Sequence, residues 1–105
     1  MPCSDYKGAG YYQNMYFQLC AYFEGINVEV SIEPTEYIGL GAELTYWTMY
    51  LQRRNDSIYE TIATREGYVS PSSPSYRTFT NIRNTPNMRV FVDYYNIGVT
   101  NRVFL

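Results

Sequence analysis

The stretch YYQNMYFQLCAYFEGINVEVSIE, residues 11–33, decides the fold of this 105-residue chain. Its first half carries apolar side chains mostly at odd positions, and its second half carries them at even positions. Alternation with a period of two is typical of β-strands that bury one face. The change of parity is what an even-length turn requires if the same face is to stay apolar on both strands. These residues therefore predict one long antiparallel β-hairpin.

The register of this hairpin depends on where its turn lies. A two-residue turn at Glu24-Gly25 predicts four apolar pairs on the buried face, which are Phe23/Ile26, Ala21/Val28, Leu19/Val30 and Phe17/Ile32. Pro34 cannot donate a backbone hydrogen bond, so we expect it to end the second strand. Residues 1–10, which precede the hairpin, are expected to form an irregular arm.

Alternating segments separated by turn residues continue along the rest of the chain. Residues 43–53 favour a strand over the competing amphipathic helix, because they are rich in β-branched and aromatic side chains. Further strands are predicted over residues 57–63, 75–82, 88–95 and 99–105, and a loop rich in serine and proline over residues 65–74. About seven short strands of this kind predict a single all-β domain over residues 1–105, an antiparallel sandwich or alternatively a small β-barrel.

The last third of the chain resembles the closing strands of immunoglobulin-like and fibronectin-like sandwiches. The resemblance rests on the threonine-rich stretch YRTFT (76–80), the turn NTPN (84–87) and the strand RVFVDYY (89–95). It implies a two-sheet architecture and no particular function. The tryptophan and bridging cysteine pair of true immunoglobulin domains are not matched, because both cysteines precede Trp47. Trp47 aligns with Met49 and Leu51, so we expect it in the core rather than on a ligand platform.

Cys3 and Cys20 are the only cysteines of the chain. A disulfide between them would close a loop of about 17 residues and stabilise the fold by about 3 kcal/mol. Cys20 is predicted on the polar face of the hairpin, opposite Glu29, where an unpaired thiol would be unusual. We therefore favour a disulfide and a secreted or cell-surface protein, whereas reduced cysteines would indicate the cytoplasm. No segment is long and apolar enough for a membrane-spanning helix, so no membrane insertion is expected.

The residue types present exclude several classes of enzyme. The chain has no histidine, which rules out histidine-dependent nucleophilic catalysis, and its two cysteines cannot complete a four-cysteine zinc site. Glu29 and Glu33 are expected on one strand about 13 Å apart, which is wider than paired glycosidase carboxylates require. A net charge of −2 argues against nucleic-acid binding through phosphates. We therefore predict a protein that is not an enzyme and has no cofactor, no metal and no nucleic-acid partner.

The polar face of the hairpin carries the candidate ligand-binding residues. Tyrosine, amide and carboxylate side chains follow one another there, and residues two apart on a strand lie about 7 Å apart. Aromatic rings can stack on the apolar face of a sugar while amides and carboxylates bond to its hydroxyl groups. The pattern predicts a carbohydrate-binding module, with stacking rings from Tyr12, Tyr16 and Tyr22 and hydrogen-bonding groups from Asn14, Gln18 and Glu29.

Other interpretations of the tyrosine-rich sequence stay open. The same face would suit a protein–protein interaction module, such as a small inhibitor or a subunit of a homo-oligomer or structural assembly. It could also be structural, because cross-strand aromatic pairs stabilise sheets and the N-terminal arm could cover the face. Tyr46, Tyr50 and Tyr59 form a second cluster, with Tyr59 expected opposite Gln52, and we expect this cluster mainly to fill one side of its sheet.

Overall fold

Eight β-strands run through the residues that the computed structural model describes, which are 2–5, 7–9, 15–37, 44–70, 73–95 and 99–105. The strands are β1 (Lys7–Ala9), β2 (Met15–Glu24), β3 (Asn27–Tyr37), β4 (Thr45–Asn55), β5 (Ile58–Val69), β6 (Ser75–Phe79), β7 (Met88–Tyr94) and β8 (Val99–Phe104). Their pairings are antiparallel. β4 is a strand, which confirms the prediction of a strand over the competing helix, and its β-branched and aromatic residues favour the extended backbone.

The strands form two sheets that share one core. The first sheet has the order β1-β2-β3-β6, and the second sheet has the order β5-β4-β7-β8. The chain passes between the sheets after β3, after β5 and after β6. Two separate sheets confirm the predicted antiparallel sandwich, and these crossing connections are of the immunoglobulin-like kind.

The core lies between the sheets and follows the alternation in the sequence. Trp47, Met49 and Leu51 are completely buried, which confirms the prediction that Trp47 belongs to the core. Trp47 Nε1 donates a 3.2 Å hydrogen bond to Ser75 Oγ, and that hydroxyl donates a 2.6 Å bond to the Tyr68 carbonyl oxygen. The indole N–H is therefore satisfied inside the core, and the same bonds connect β4, β5 and β6.

The predicted hairpin is present as β2 and β3, but its turn and register differ from the prediction. Glu24 pairs with Asn27, so the turn residues are Gly25 and Ile26. The observed pairs are Phe23/Val28, Ala21/Val30, Leu19/Ile32 and Phe17/Pro34. Gly25 has a φ of 62°, which glycine adopts without strain, and Ile26 is 65% exposed in the turn. A shift of two residues keeps both apolar sets on one face, so the buried face was predicted correctly despite the wrong register.

β3 continues past Pro34 to Tyr37, so the prediction that Pro34 ends the strand is wrong. Its partner on one side is Phe17, next to an irregularity in the β2–β3 register between Tyr16 and Phe17. On the other side, β6 pairs with β3 only as far as Ile32. A residue without a backbone N–H is accepted at bulges and unpaired edges of this kind.

β5 is longer than predicted and takes in half of the expected loop. The strand runs for 12 residues to Val69, and Ser70 and Ser73 then form an isolated bridge. Gly67, which resembles a turn signal in the sequence, lies inside β5 where the strand passes close to the buried indole. A Cβ atom at Gly67 would lie 2.6 Å from Trp47 Cζ2, so the glycine permits a close approach rather than a turn. Residues 71 and 72 of the expected loop lie outside the described residues.

Candidate functional site

A disulfide between Cys3 and Cys20 joins the N-terminal arm to the middle of β2, as the sequence predicts. Beside it, Ser4 N donates a 2.8 Å hydrogen bond to the Leu19 carbonyl oxygen. Further along the arm, β1 pairs with β2. The prediction of a wholly irregular arm is therefore wrong, because the unpaired edge of β2 supplies backbone partners to the segment that the disulfide holds beside it.

The disulfide borders a groove on the outer face of the first sheet. Cys20 lies opposite Ser31 rather than Glu29, because of the shifted hairpin register, and it is only 4% exposed. The groove has a volume of about 360 Å³. We call it the first-sheet groove, and it is lined by Cys3, Gln18, Cys20, Tyr22, Glu29, Val30, Ser31, Glu33 and Tyr76.

Two tyrosines stand on different strands of this groove. Tyr22 lies on β2 opposite Glu29 and is half-buried, whereas Tyr76 lies on β6 opposite Ser31 and is 61% exposed. Since β3 separates the two strands, strand spacing places the Cα atoms of the two tyrosines about 12 Å apart. That separation leaves room for a sugar-sized ligand beside both rings.

The polar groups of the groove lie between and beside these tyrosines. Glu29 Oε2 accepts a 2.6 Å hydrogen bond from Thr78 Oγ1, which orients the carboxylate across β3 and β6. Gln18 Nε2 donates a 3.1 Å bond to the Ser4 carbonyl oxygen, so the arm fixes the amide of a predicted ligand-binding residue. Glu33 adds a second carboxylate, and the described lining contains no arginine or lysine. The groove therefore has a negative electrostatic character.

The structure brings together three of the six predicted ligand-binding residues. Gln18, Tyr22 and Glu29 line the first-sheet groove. Tyr16 is exposed on the same strand but is not among the lining residues. Tyr12 and Asn14 lie outside the described residues.

Sequence reasoning missed Tyr76 as a member of this site. The alternation over residues 75–82 predicted a strand but contained no signal for its neighbour in the sheet. The pairing of β6 with β3 is a contact between residues far apart in the chain, and it carries Tyr76 to the groove. The one signal in the sequence was a tyrosine that shares a face of the predicted strand with Thr78 and Thr80.

The second predicted cluster, Tyr46, Tyr50 and Tyr59, lies on the outer face of the second sheet and not in the core. Tyr46 is 51% exposed, and the other two are half-buried. Tyr59 pairs with Arg54 rather than Gln52, because the turn between β4 and β5 lies at Asp56-Ser57 and not at Asn55-Asp56. The expectation that this cluster fills the inside of the sandwich is therefore wrong, since apolar side chains on the alternate positions of β4 already do so.

A second cleft lies between the N-terminal arm and β8. Its volume is about 370 Å³, and it is lined by Ser4, Asp5, Thr100, Asn101 and Arg102. The described lining has no aromatic side chain, so it offers no stacking surface. Across the described ranges, no group of three or more acidic or cysteine side chains is placed to hold a metal ion. Those ranges also include no helix with the length and apolarity needed to cross a membrane.

Comparisons with known proteins assign no family to the chain. No protein-family model, curated protein or solved structure matches it significantly. The chemistry of the first-sheet groove is therefore the basis on which a function can be argued.

Proposed function

We propose that the chain is a non-catalytic binding module that recognises carbohydrate in the first-sheet groove. The observation that carries the proposal is the placement of Tyr22 and Tyr76 on two strands around hydrogen-bonding groups of β2 and β3. A pyranose presents apolar C–H faces and a rim of hydroxyl groups. Two rings with amide, hydroxyl and carboxylate groups between them complement both features.

The charge of the groove narrows the class of sugar. Glu29 and Glu33 supply two carboxylates, and the described lining has no basic side chain to compensate them. Like charges placed against each other disfavour binding, so sialylated and sulfated glycans are poor candidates. Neutral sugars and amino sugars are the expected ligands, with the ammonium group of an amino sugar placed near a carboxylate.

The proposed location is extracellular or at a cell surface. The Cys3–Cys20 disulfide is compatible with an oxidising compartment. The proposed recognition requires no cofactor, no metal, no nucleic acid and no insertion into a membrane. It uses only a rigid sheet and side chains that the sheet presents.

The proposal is tested by screening the non-reduced protein against a broad glycan array. We expect binding of a neutral or amino-sugar glycan. Replacing the two rings with Tyr22→Ala and Tyr76→Ala together should weaken that binding at least about tenfold, because a stacking ring is a central contact of such a site. Titration calorimetry with the glycan identified on the array gives the affinity.

Tyr46→Ala is the matched control for this experiment. It removes an exposed tyrosine of similar environment from the opposite sheet, so glycan affinity should stay within about twofold of the original protein. Unchanged affinity in the Tyr22→Ala, Tyr76→Ala variant would mean that the glycan does not bind in the first-sheet groove. A folded protein that binds no glycan would contradict the carbohydrate proposal and favour a protein ligand.

A further inference from the structure

We propose that the outer face of the second sheet is a self-association surface on which a second copy of this chain docks by a two-fold axis. This inference does not depend on the carbohydrate proposal, because it concerns the opposite side of the sandwich. The surface, called the second-sheet face below, carries the aromatic residues Tyr46, Tyr50, Tyr59, Tyr68, Phe91, Tyr95 and Phe104.

The rings of the second-sheet face form neighbouring pairs rather than isolated side chains. Ring centroids are 6.2 Å apart between Tyr46 and Tyr68, and 6.3 Å apart between Tyr50 and Phe91. Four strands give the face a width of about 20 Å. Aromatic patches of this extent on one side of a sheet are typical of interaction sites, since water-exposed apolar surface is otherwise kept small.

Charged side chains on this face are separated by sign along the strands. Glu66 and Asp93 both lie opposite Thr48, towards the start of β4. Arg54 and Arg89 lie on the same face towards the end of β4, where Arg89 is opposite Gln52. The acidic and basic ends are thus on one surface, which makes the surface complementary to a reversed copy of itself.

Within the described residues, no carboxylate is among the groups that shift the pKa of Arg89. Its Nε donates a 2.7 Å hydrogen bond to Gln52 Oε1, and its guanidinium lies 3.8 Å from the centroid of Tyr59. Burial lowers the pKa of Arg89, and the nearby Arg102 lowers it further while Tyr59 raises it. A partly desolvated guanidinium that is near another cation gains from a carboxylate supplied by a partner.

The strand β7 shows how the second copy supplies that carboxylate. Arg89, Phe91 and Asp93 alternate on its outward face, each about 7 Å from the next. A two-fold axis through Phe91, lying in the interface and across the strands, reverses the direction of β7. It therefore places Arg89 of one copy against Asp93 of the other, twice in each dimer.

The same operation matches other parts of the face. On β4, Tyr50 lies midway between Tyr46 and Arg54, so the axis places the Arg54 guanidinium over Tyr46 of the second copy. Arg102 lies opposite Phe91 on the edge strand β8, so the axis brings it near Arg102 of the second copy, and its long exposed side chain has to turn outward into solvent. A nucleic acid is a poorer occupant, because its phosphates would face Glu66 and Asp93 as well as the arginines.

Sedimentation velocity of the non-reduced full chain, from micromolar to near-millimolar concentration, tests the proposal. We expect a monomer–dimer equilibrium. Arg89→Asp and Asp93→Arg should each weaken the dimer at least about tenfold, because each creates two like-charged pairs across the axis. An equimolar mixture of the two variants should regain affinity, since the heterodimer pairs opposite charges at both places.

The mixture separates an interface from a folding effect. A variant that merely unfolds cannot recover by mixing with another, whereas complementary surfaces do. Arg83→Asp, which reverses an exposed arginine in the connection between β6 and β7, should dimerise like the original protein. The proposal would be overturned if the original protein is a monomer at every concentration. It would also be overturned if Arg89→Asp and Asp93→Arg, each folded and measured alone, dimerise as tightly as the original protein. A monomer that instead binds a single-stranded oligonucleotide through Arg89 would reassign the face to nucleic acid.

Discussion

Tyr94 shows how strongly this fold constrains a single side chain. It lies on the core face of β7, is 1% exposed and stacks on Phe17 with ring centroids 5.7 Å apart. Its hydroxyl and Asn101 Nδ2 are both buried, and within the described residues neither makes a hydrogen bond of ordinary geometry. Burial raises the pKa of Tyr94 to about 12, with a smaller opposing effect from Asn101.

This shift predicts a loss of stability at high pH. In the unfolded chain a tyrosine ionises near pH 10, so between about pH 10 and 12 only the unfolded state loses the proton from Tyr94. The free energy of unfolding should therefore fall by about 1.4 kcal/mol per pH unit across that window from this residue alone. Chemical denaturation followed by circular dichroism, at several pH values, measures the slope.

Tyr94→Phe is the control that isolates this residue from the other tyrosines. Removing a buried hydroxyl that lacks a hydrogen bond should change stability at pH 7 by no more than about 1 kcal/mol. Above pH 10 the variant should be the more stable of the two proteins. Identical pH profiles would mean that Tyr94 reaches water in the native state.

At the scale of elements, periodicity predicted faces better than it predicted boundaries. The parity change around Gly25 identified the buried side of β2 and β3, because a side chain's face depends only on whether its position is odd or even. The turn itself depended on which residue takes a positive φ, and placing Glu24 in it gave the wrong register. Pro34 and Gly67 predict interruptions of their strands, but a bulge accommodates the proline and a close approach to Trp47 explains the glycine.

The N-terminal arm is the element whose removal should be most visible. Replacing the disulfide by Cys3→Ser together with Cys20→Ala should lower the free energy of unfolding by about 3 kcal/mol, the value expected for a loop of this length. Urea unfolding of the variant and of the non-reduced original measures the difference. Since the arm also holds Gln18 through Ser4, glycan affinity should fall as well.

The second-sheet face provides the control for the arm variant. Dimerisation should be unaffected by the two cysteine substitutions, because β1 belongs to the other sheet. A variant with normal stability would show that the disulfide does not stabilise the fold by constraining the unfolded chain. A variant with lower stability but normal glycan affinity would mean that the arm does not contribute to glycan binding.

At the scale of the whole molecule, the full candidate site could not be predicted from single strands, because it depends on which strands pair in the sheet. Gln18, Tyr22 and Glu29 were found because they belong to one hairpin, whose pairing is local. Tyr76 joins them only through the β3–β6 pairing. The location of the Tyr46 cluster likewise depended on which face of the second sheet meets the first, and strand alternation leaves that choice open until the sheets are packed.

The two proposals together predict a molecule that bridges glycan-bearing surfaces. In a dimer formed through the second-sheet faces, the first-sheet grooves lie on the two outermost layers, about 30 Å apart for sheets spaced as in ordinary sandwiches. The grooves point in opposite directions, so one dimer cannot place both on a single flat surface. We therefore expect the protein to cross-link beads that carry the bound glycan, as measured by turbidity.

The charge variants separate binding from bridging in this experiment. Arg89→Asp leaves the groove intact, so it should coat the beads with the original affinity for each site while failing to cross-link them. Adding Asp93→Arg in equal amount should restore cross-linking, because the mixed dimer again carries two opposed grooves. Cross-linking by Arg89→Asp alone would mean that the grooves are joined through some other surface. If the original protein coats the beads without cross-linking them, a dimer does not bind glycan in both of its grooves at the same time.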